Sequence, residues 1–264
     1  MMKVLLLRFD APLMSFGNVT VDQHNKTDAL PYRAMLTGLL ANALGFDRQD
    51  EAKLTDLQSR VRYAARRDRK GSVLVDFQTV NFDPSGPMGS DLGWTTRGRI
   101  EERKGSTESS EGTHIRYRHY LADAIVTVAL TLDPIDVEPS LGAVSAAVRA
   151  PARPLFLGRK CCIPSEAIWL GETEAASLRQ ALVETPRAGA ALRGGTQRSD
   201  QGALQALWPM SDGAEENTTR LWPRFEDRDF ANSIHVGRRI HVEGLVDPPL
   251  AVERSHLGPD KERA

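Results

Sequence analysis

Apolar residues in this chain come in short runs divided by polar stretches, and those runs predict its elements. The first, KVLLLRF, is a strand that ends at Asp10-Ala11-Pro12, where proline lacks a donor and restricts the backbone. Residues 13–30 are polar and predict a mostly irregular segment. Pro31 then opens a helix, YRAMLTGLLANAL, with Leu36, Leu39, Leu40 and Ala43 on one face and Gly45 as its stop. Gly38 lowers the helix propensity there but allows close approach to a sheet. A second short helix finishes at 54–58. Two strands follow, SRVRYAARR and VLVDFQTVN, joined by DRKGS.

From Asp83 to Gly112 apolar residues thin out to Met88, Leu92, Trp94 and Ile100 within a charged, glycine- and serine-containing stretch. Thirty such residues predict a protruding or partner-ordered loop. Order returns with a strand at 124–132, interrupted by Pro134 and Pro139, then a helix at 140–149. Further strands are expected at 161–170, 206–209, 219–224 and 238–246, a helix at 174–183, and loop at 186–202. The pattern predicts an α+β protein. A ferredoxin-like, RRM-like domain spans 1–150, a smaller β-rich subdomain 151–250, and a frayed tail 251–264.

Composition excludes several classes. With 264 residues and 41% hydrophobic content the chain can bury a sizeable core. It has no run of eighteen apolar residues, so no membrane span is expected. The opening apolar run is broken by Arg8 and Asp10, too early for an export signal. Cys161 and Cys162 are adjacent, which argues against a disulfide framework and fits a reducing cytoplasm. Net charge is -1, but residues 58–70 carry six basic groups and one acid. A local patch of that kind suits a protein gripping a short stretch of nucleic acid.

Neither a Walker A loop, a GxGxxG turn, HExxH nor CxxC occurs. Asp10, Asp22 and Asp76 could meet around Mg²⁺, yet no motif stands behind them, so no metal or cofactor is expected.

Three segments carry candidate chemistry. In 60–70, Arg60, Arg62, Arg66 and Arg69 would project guanidiniums onto phosphates, and Tyr63 offers a ring for an unpaired base. A sheet edge guarded by positive charge would read the same way. In His114–Tyr120, His114, Arg116 and Arg118 share one side of an extended chain while Tyr117 and His119 share the other. Tyrosine, histidine and cations so grouped can cleave RNA without metal through the 2′-OH; alternatively Tyr117 and Tyr120 anchor the loop base to the core. In Arg153–Lys160, two prolines and Gly158 make a rigid turn around Arg153, Arg159 and Lys160, and Gly158 leaves room for a backbone or phosphate.

Five blocks in order, spanning roughly residues 4–170, resemble the CasD family of RAMP-type subunits of type I-E Cascade. They are LLLRFDAPLMSFG, ending at Gly17; LPYRAMLTGLLANALGF, with Pro31, Arg33, Ala34 and Gly38; VDFQTVN, with Asp76, Phe77 and Thr79; RHYLADAIVTVAL, with Tyr120 and Asp123; and RPLFLGRKCCIPS. The resemblance implies a ferredoxin-like RAMP domain, an extended thumb and a small second β domain. It implies that the chain clamps the 5′ handle of the guide RNA (crRNA) and caps the backbone-subunit filament. It also implies contact with the large PAM-reading subunit, which brings target DNA near the PAM end indirectly.

Carried over by position, Arg33, Asp76, Thr79, Tyr120, Gly158, Arg159 and Lys160 become handle-side residues. Gly17, Pro31 and Gly38 join them as structural or handle-side positions. Loop 83–112 becomes the thumb, with Trp94, Arg97 and Arg99 facing partners. Related RAMP subunits cleave precursor RNA without metal, so a metal-independent endoribonuclease is the alternative, with Tyr32, Tyr120, His119 or His24 offered for it.

Overall fold

The structure, a computed structural model, describes residues 1–17, 23–81, 113–188, 202–214 and 218–250. The expected thumb, with Trp94, Arg97 and Arg99, and the tail at 251–264 lie outside the described residues. Thirteen strands and four α-helices are described: β1 (Met2–Asp10), β2 (Leu13–Met14), β3 (Phe16–Gly17), β4 (His24–Asn25), β5 (Thr27–Asp28), α1 (Arg33–Leu44), α2 (Glu51–Arg60), β6 (Val61–Arg69), β7 (Ser72–Asn81), β8 (Thr113–Ala122), β9 (Ile125–Leu132), α3 (Leu141–Arg149), β10 (Trp169–Ala175), α4 (Leu178–Glu184), β11 (Leu204–Pro209), β12 (Thr218–Asp229) and β13 (Ile234–Val246).

The main sheet is antiparallel, in the order β10-β1-β9-β6-β11-β13-β12. Numbered by their sequence, its first four members lie in the order 4-1-3-2, with α1 and α2 between the first and second strands and α3 between the third and fourth. That is the ferredoxin-like βαββαβ arrangement. The division expected at residue 150 falls between α3 and β10, and β10 pairs with β1 at the edge of this four-stranded unit. β11 extends the sheet by pairing with β6, at Ala206 with Arg66 and Leu207 with Ala65.

The unbroken apolar run of β1 follows from burial on both faces. Leu5, Leu7 and Phe9 enter the layer shared with Leu36 and Leu40 of α1, Leu57 of α2 and Val144 of α3. Val4 and Leu6 enter the opposite layer with Leu178 and Leu182 of α4, Trp208 of β11 and Val242 of β13. α1 ends at Gly45 in the left-handed conformation (φ 79°), where a side chain would be strained. Serine caps α3 and α4: Ser140 Oγ accepts from the Ala143 N–H and Ser177 Oγ from the Gln180 N–H.

Between β6 and β9 the chain leaves the main sheet as the β7–β8 hairpin, paired from Ser72–Ala122 to Asn81–Thr113. It sits in a second sheet, with β2 and β4 on the other side of β8. The polar segment 13–30 therefore includes four two-residue strands rather than only irregular chain. Four other expectations are corrected. Ser59 and Arg60 finish α2 and do not begin a strand. Cys161 and Cys162 sit in a turn, and the strand there starts only at Trp169. The helix expected at 174–183 begins at Leu178, after β10 ends at Ala175. Gly38 brings no sheet close, since a Cβ there would meet nothing within 4 Å.

Candidate nucleic-acid interface

A cleft of about 640 Å³ opens between α1, the short strands after β1, the 154–160 turn and the β12–β13 hairpin. Lys26, Arg159, Lys160, Arg228 and His235 line it, and no acid is found among its described lining residues. Gly17, Gly38 and Gly158 also line it, which leaves parts of its wall as bare backbone. Burial, and then the charge of Arg228, lowers the pKa of His235 below that of an ordinary histidine. Burial, and then Arg48, lowers the pKa of Arg228.

Arg159 ties the cleft to the hairpin. Its Nη1 donates to the His119 carbonyl at 3.1 Å and its Nη2 to the Asn25 carbonyl at 3.0 Å. Its guanidinium lies 4.5 Å from the centre of the Tyr120 ring. Gly158, at φ 106°, lets this turn press against the segment after β2. A Cβ there would lie 1.8 Å from the Ser15 carbonyl oxygen. The room provided by Gly158 is thus taken by the protein's own backbone, while Lys160 remains exposed at the rim.

On β8, Arg116 and Arg118 are register partners of Gln78 and Asp76, so all four share one hairpin face. Thr79 is exposed opposite Ile115. Tyr120 is buried at the hairpin base, its hydroxyl 3.5 Å from Cys161 Sγ. Burial, then the Cys161 contact, raises its pKa. Of the groups offered for 2′-OH activation, His119 lies on the face opposite Tyr120, the Tyr32 hydroxyl donates to Asp28, and His24 approaches His119 with ring centres 5.9 Å apart.

Several expected contacts prove to be internal. Arg60 is buried and donates to the carbonyls of Pro134, Val137, Glu138 and Pro139, holding the 133–139 loop. Arg66 is fully buried, paired with Asp68 at 2.5 Å and donating to the Leu182, Thr185 and Pro186 carbonyls. Tyr63 is buried, its hydroxyl donating to the Pro31 carbonyl and to Glu226. Arg33 is buried and pairs with Asp227 of β12 at 2.6 Å. Arg153 donates to the Gly45 and Phe46 carbonyls beyond α1 and pairs with Asp47. Arg62, Arg67 and Arg69 are half-buried, Arg62 lying 3.8 Å from Asp133 and Arg69 pairing with Asp123 at 2.7 Å. Alternation along 58–70 cannot reveal which side of a strand will be covered by a later segment, here α4 and β12.

The sequence reading passed over Lys26, Arg228 and His235, which lie in separate segments with no local motif. It also passed over the buried group that fastens β12 and β13 to α1. There Arg224 donates to the Leu30 and Pro31 carbonyls and stacks 3.7 Å from the Tyr32 ring centre. Glu226 sits between Arg224 and His241, whose Nε2 is 2.7 Å from its Oε2.

Among the described residues no group of three or more His, Cys, Asp or Glu could hold a metal ion, and no helix is long and apolar enough to cross a membrane.

A 4-1-3-2 antiparallel sheet with a long hairpin inserted between its second and third strands defines a ferredoxin-like domain of the RAMP type. The chain belongs to the family described as CRISPR-associated protein (Cas_Cas5), whose pattern matches residues 4–240. It is 31% identical over 183 residues to the CRISPR system Cascade subunit CasD of Escherichia coli (strain K12), covering 69% of this chain and 77% of that protein. A chain described as "Crystal structure of Cas protein" is similar at 26% identity and a TM-score of 0.59, over 94% of this chain and 98% of that one. A chain of a "CRISPR RNA-guided surveillance complex" shares the fold at 24% identity and a TM-score of 0.61, over 93% and 91%.

Proposed function

We propose that this protein is a non-catalytic guide-RNA-binding subunit of a type I-E CRISPR surveillance complex, acting in antiviral defence. It holds the crRNA 5′ handle and caps one end of the backbone filament. The observation that carries this is the cleft: five cationic or imidazole side chains, glycine-bared walls and no described acid, at the foot of the hairpin. Such a surface suits phosphates and is indifferent to sequence, as expected where base pairing reads the target. Membership of the Cas5 family supports the same reading. In this reading Lys26, Arg159, Lys160, Arg228 and the Arg116–Arg118 face meet the RNA. Residues 83–112, with Trp94, Arg97 and Arg99, form a thumb against the backbone subunit. Another face meets the large PAM-reading subunit and, through it, target DNA in the cytoplasm.

Metal-free incubation with labelled precursor guide RNA tests it. The expected result is retention of the 5′ handle without cleavage. Specific cleavage at the handle boundary would replace it with the endoribonuclease reading, and failure to retain the handle would remove the RNA-holding role.

A further inference from the structure

The hairpin face opposite Arg116 and Arg118 carries a row of rings. Phe77 and Tyr117 are register partners across β7 and β8, and His24 is the partner of Tyr117 across β4 and β8. Three rings therefore rise side by side from one face of adjacent strands. His24 and Tyr117 stack with centres 4.6 Å apart and planes 8° from parallel. Phe77 lies 5.4 Å from Tyr117 at 56°, and His119 lies 5.9 Å from His24.

Both ends of the row are informative. Among the described strands β7 pairs only with β8, so the row ends at Phe77, which is 55% exposed. Val73 and Val75 extend this open face at 64% and 50% exposure. At the other end His24 leads directly into Asn25 and Lys26, which line the cleft. Arg159 donates to the carbonyls of both Asn25 and His119, so cleft and row form one continuous surface. A core role for the rings would bury Phe77, and the structure leaves it open. Flat rings beside a cationic cleft, two of them (His24 and Tyr117) with polar edges, match a base joined to its phosphate.

We propose that the His24–Tyr117–Phe77 row is a stacking platform for unpaired bases of the RNA whose phosphates occupy the cleft. This rests on the RNA-holding reading above. Because every base has a π face, the platform would accept different bases at similar strength.

The test uses the full-length chain and synthetic single-stranded handle RNA carrying 2-aminopurine at one position at a time. Wild type is expected to quench the fluorophore at one or two adjacent positions. Tyr117→Leu is expected to abolish that quenching and weaken binding roughly five- to hundredfold, while Tyr117→Trp retains both. Phe77→Leu, at an exposed position that leaves the fold intact, should lose part of the quenching. RNA bound by the Leu variants with unaltered quenching would overturn the platform and leave the RNA-holding reading standing. Unaltered quenching together with lost assembly onto partner subunits would reassign the row to a protein contact, which also overturns it. If wild type bound no handle RNA, both readings would fall.

Discussion

Gly158 passes so close to Ser15 that a methyl group on its Cα would lie 1.8 Å from the Ser15 carbonyl oxygen. The Ser15 N–H donates to the Leu157 carbonyl at 3.1 Å, so turn and strand segment are held together from both sides. Neither can retreat without breaking that bond, and the φ of 106° disfavours any side chain. Gly158→Ala is expected to cost at least about 2 kcal/mol and to weaken RNA retention, by urea unfolding and filter binding. Gly38→Ala separates the two effects. It adds a methyl group in open space on an exposed helix position, so stability should rise by about 0.5–1 kcal/mol, while the narrowed cleft binds RNA less well. Loss of stability in Gly38→Ala would contradict its placement.

Arg60 illustrates a cation whose role is internal. Four carbonyls of the 133–139 loop share its guanidinium. Arg60→Ala is expected to destabilise the protein by about 2–4 kcal/mol. Because the side chain is buried and away from the cleft, the folded variant should bind handle RNA with unchanged affinity. A selective loss of RNA binding with wild-type stability would return Arg60 to the interface.

These cases show where the sequence was readable. Elements with a continuous apolar run or stripe, such as β1, α1 and β9, appear close to their expected positions because each buries a helix face or a whole strand. The two-residue strands of 13–28 escape such reading, since two residues carry no period. Arg60 and Arg66 looked like surface charge because burial of a guanidinium depends on carbonyls more than 70 residues away. The cleft was half visible: the turn carrying Gly158, Arg159 and Lys160 is compact in sequence. Lys26 reaches it from the link between β4 and β5, and Arg228 and His235 because β12 and β13 return across α1.

That return is fixed by the Arg224–Glu226–His241 group, and it gives a pH dependence. Burial alone pushes the Glu226 carboxyl up, but His241, Arg224 and the Tyr63 hydroxyl outweigh it and hold the pKa below 4.5. A depressed folded-state value means that its stabilisation is complete above about pH 4.5 and is lost as pH falls through the folded value. Glu226→Gln removes the partner charge of a buried arginine and is expected to cost about 3 kcal/mol at neutral pH. Its melting temperature should fall less steeply than wild type as pH drops below the ordinary carboxylate pKa of about 4.3. Parallel curves for the two proteins would show that Glu226 does not titrate with folding.

The cleft cations divide by what else they hold. Arg159 supports His119 and Asn25 through their carbonyls, so its removal mixes lost phosphate contact with a loosened hairpin base. Lys160 is exposed, and the described hydrogen bonds between Arg228 and Gln58 use the backbone N–H and carbonyl of Arg228 and leave its side chain out. Lys26→Ala, Lys160→Ala and Arg228→Ala should therefore report phosphate contact alone. Each phosphate neutralised on a single strand contributes about 0.7 to the slope of log affinity against log salt. Each substitution is expected to lower that slope by about this amount, equally for RNAs with different spacers, because phosphates carry no sequence. A slope unchanged in all three variants would place the RNA backbone elsewhere. A loss that varied with spacer sequence would mean that the cleft meets bases.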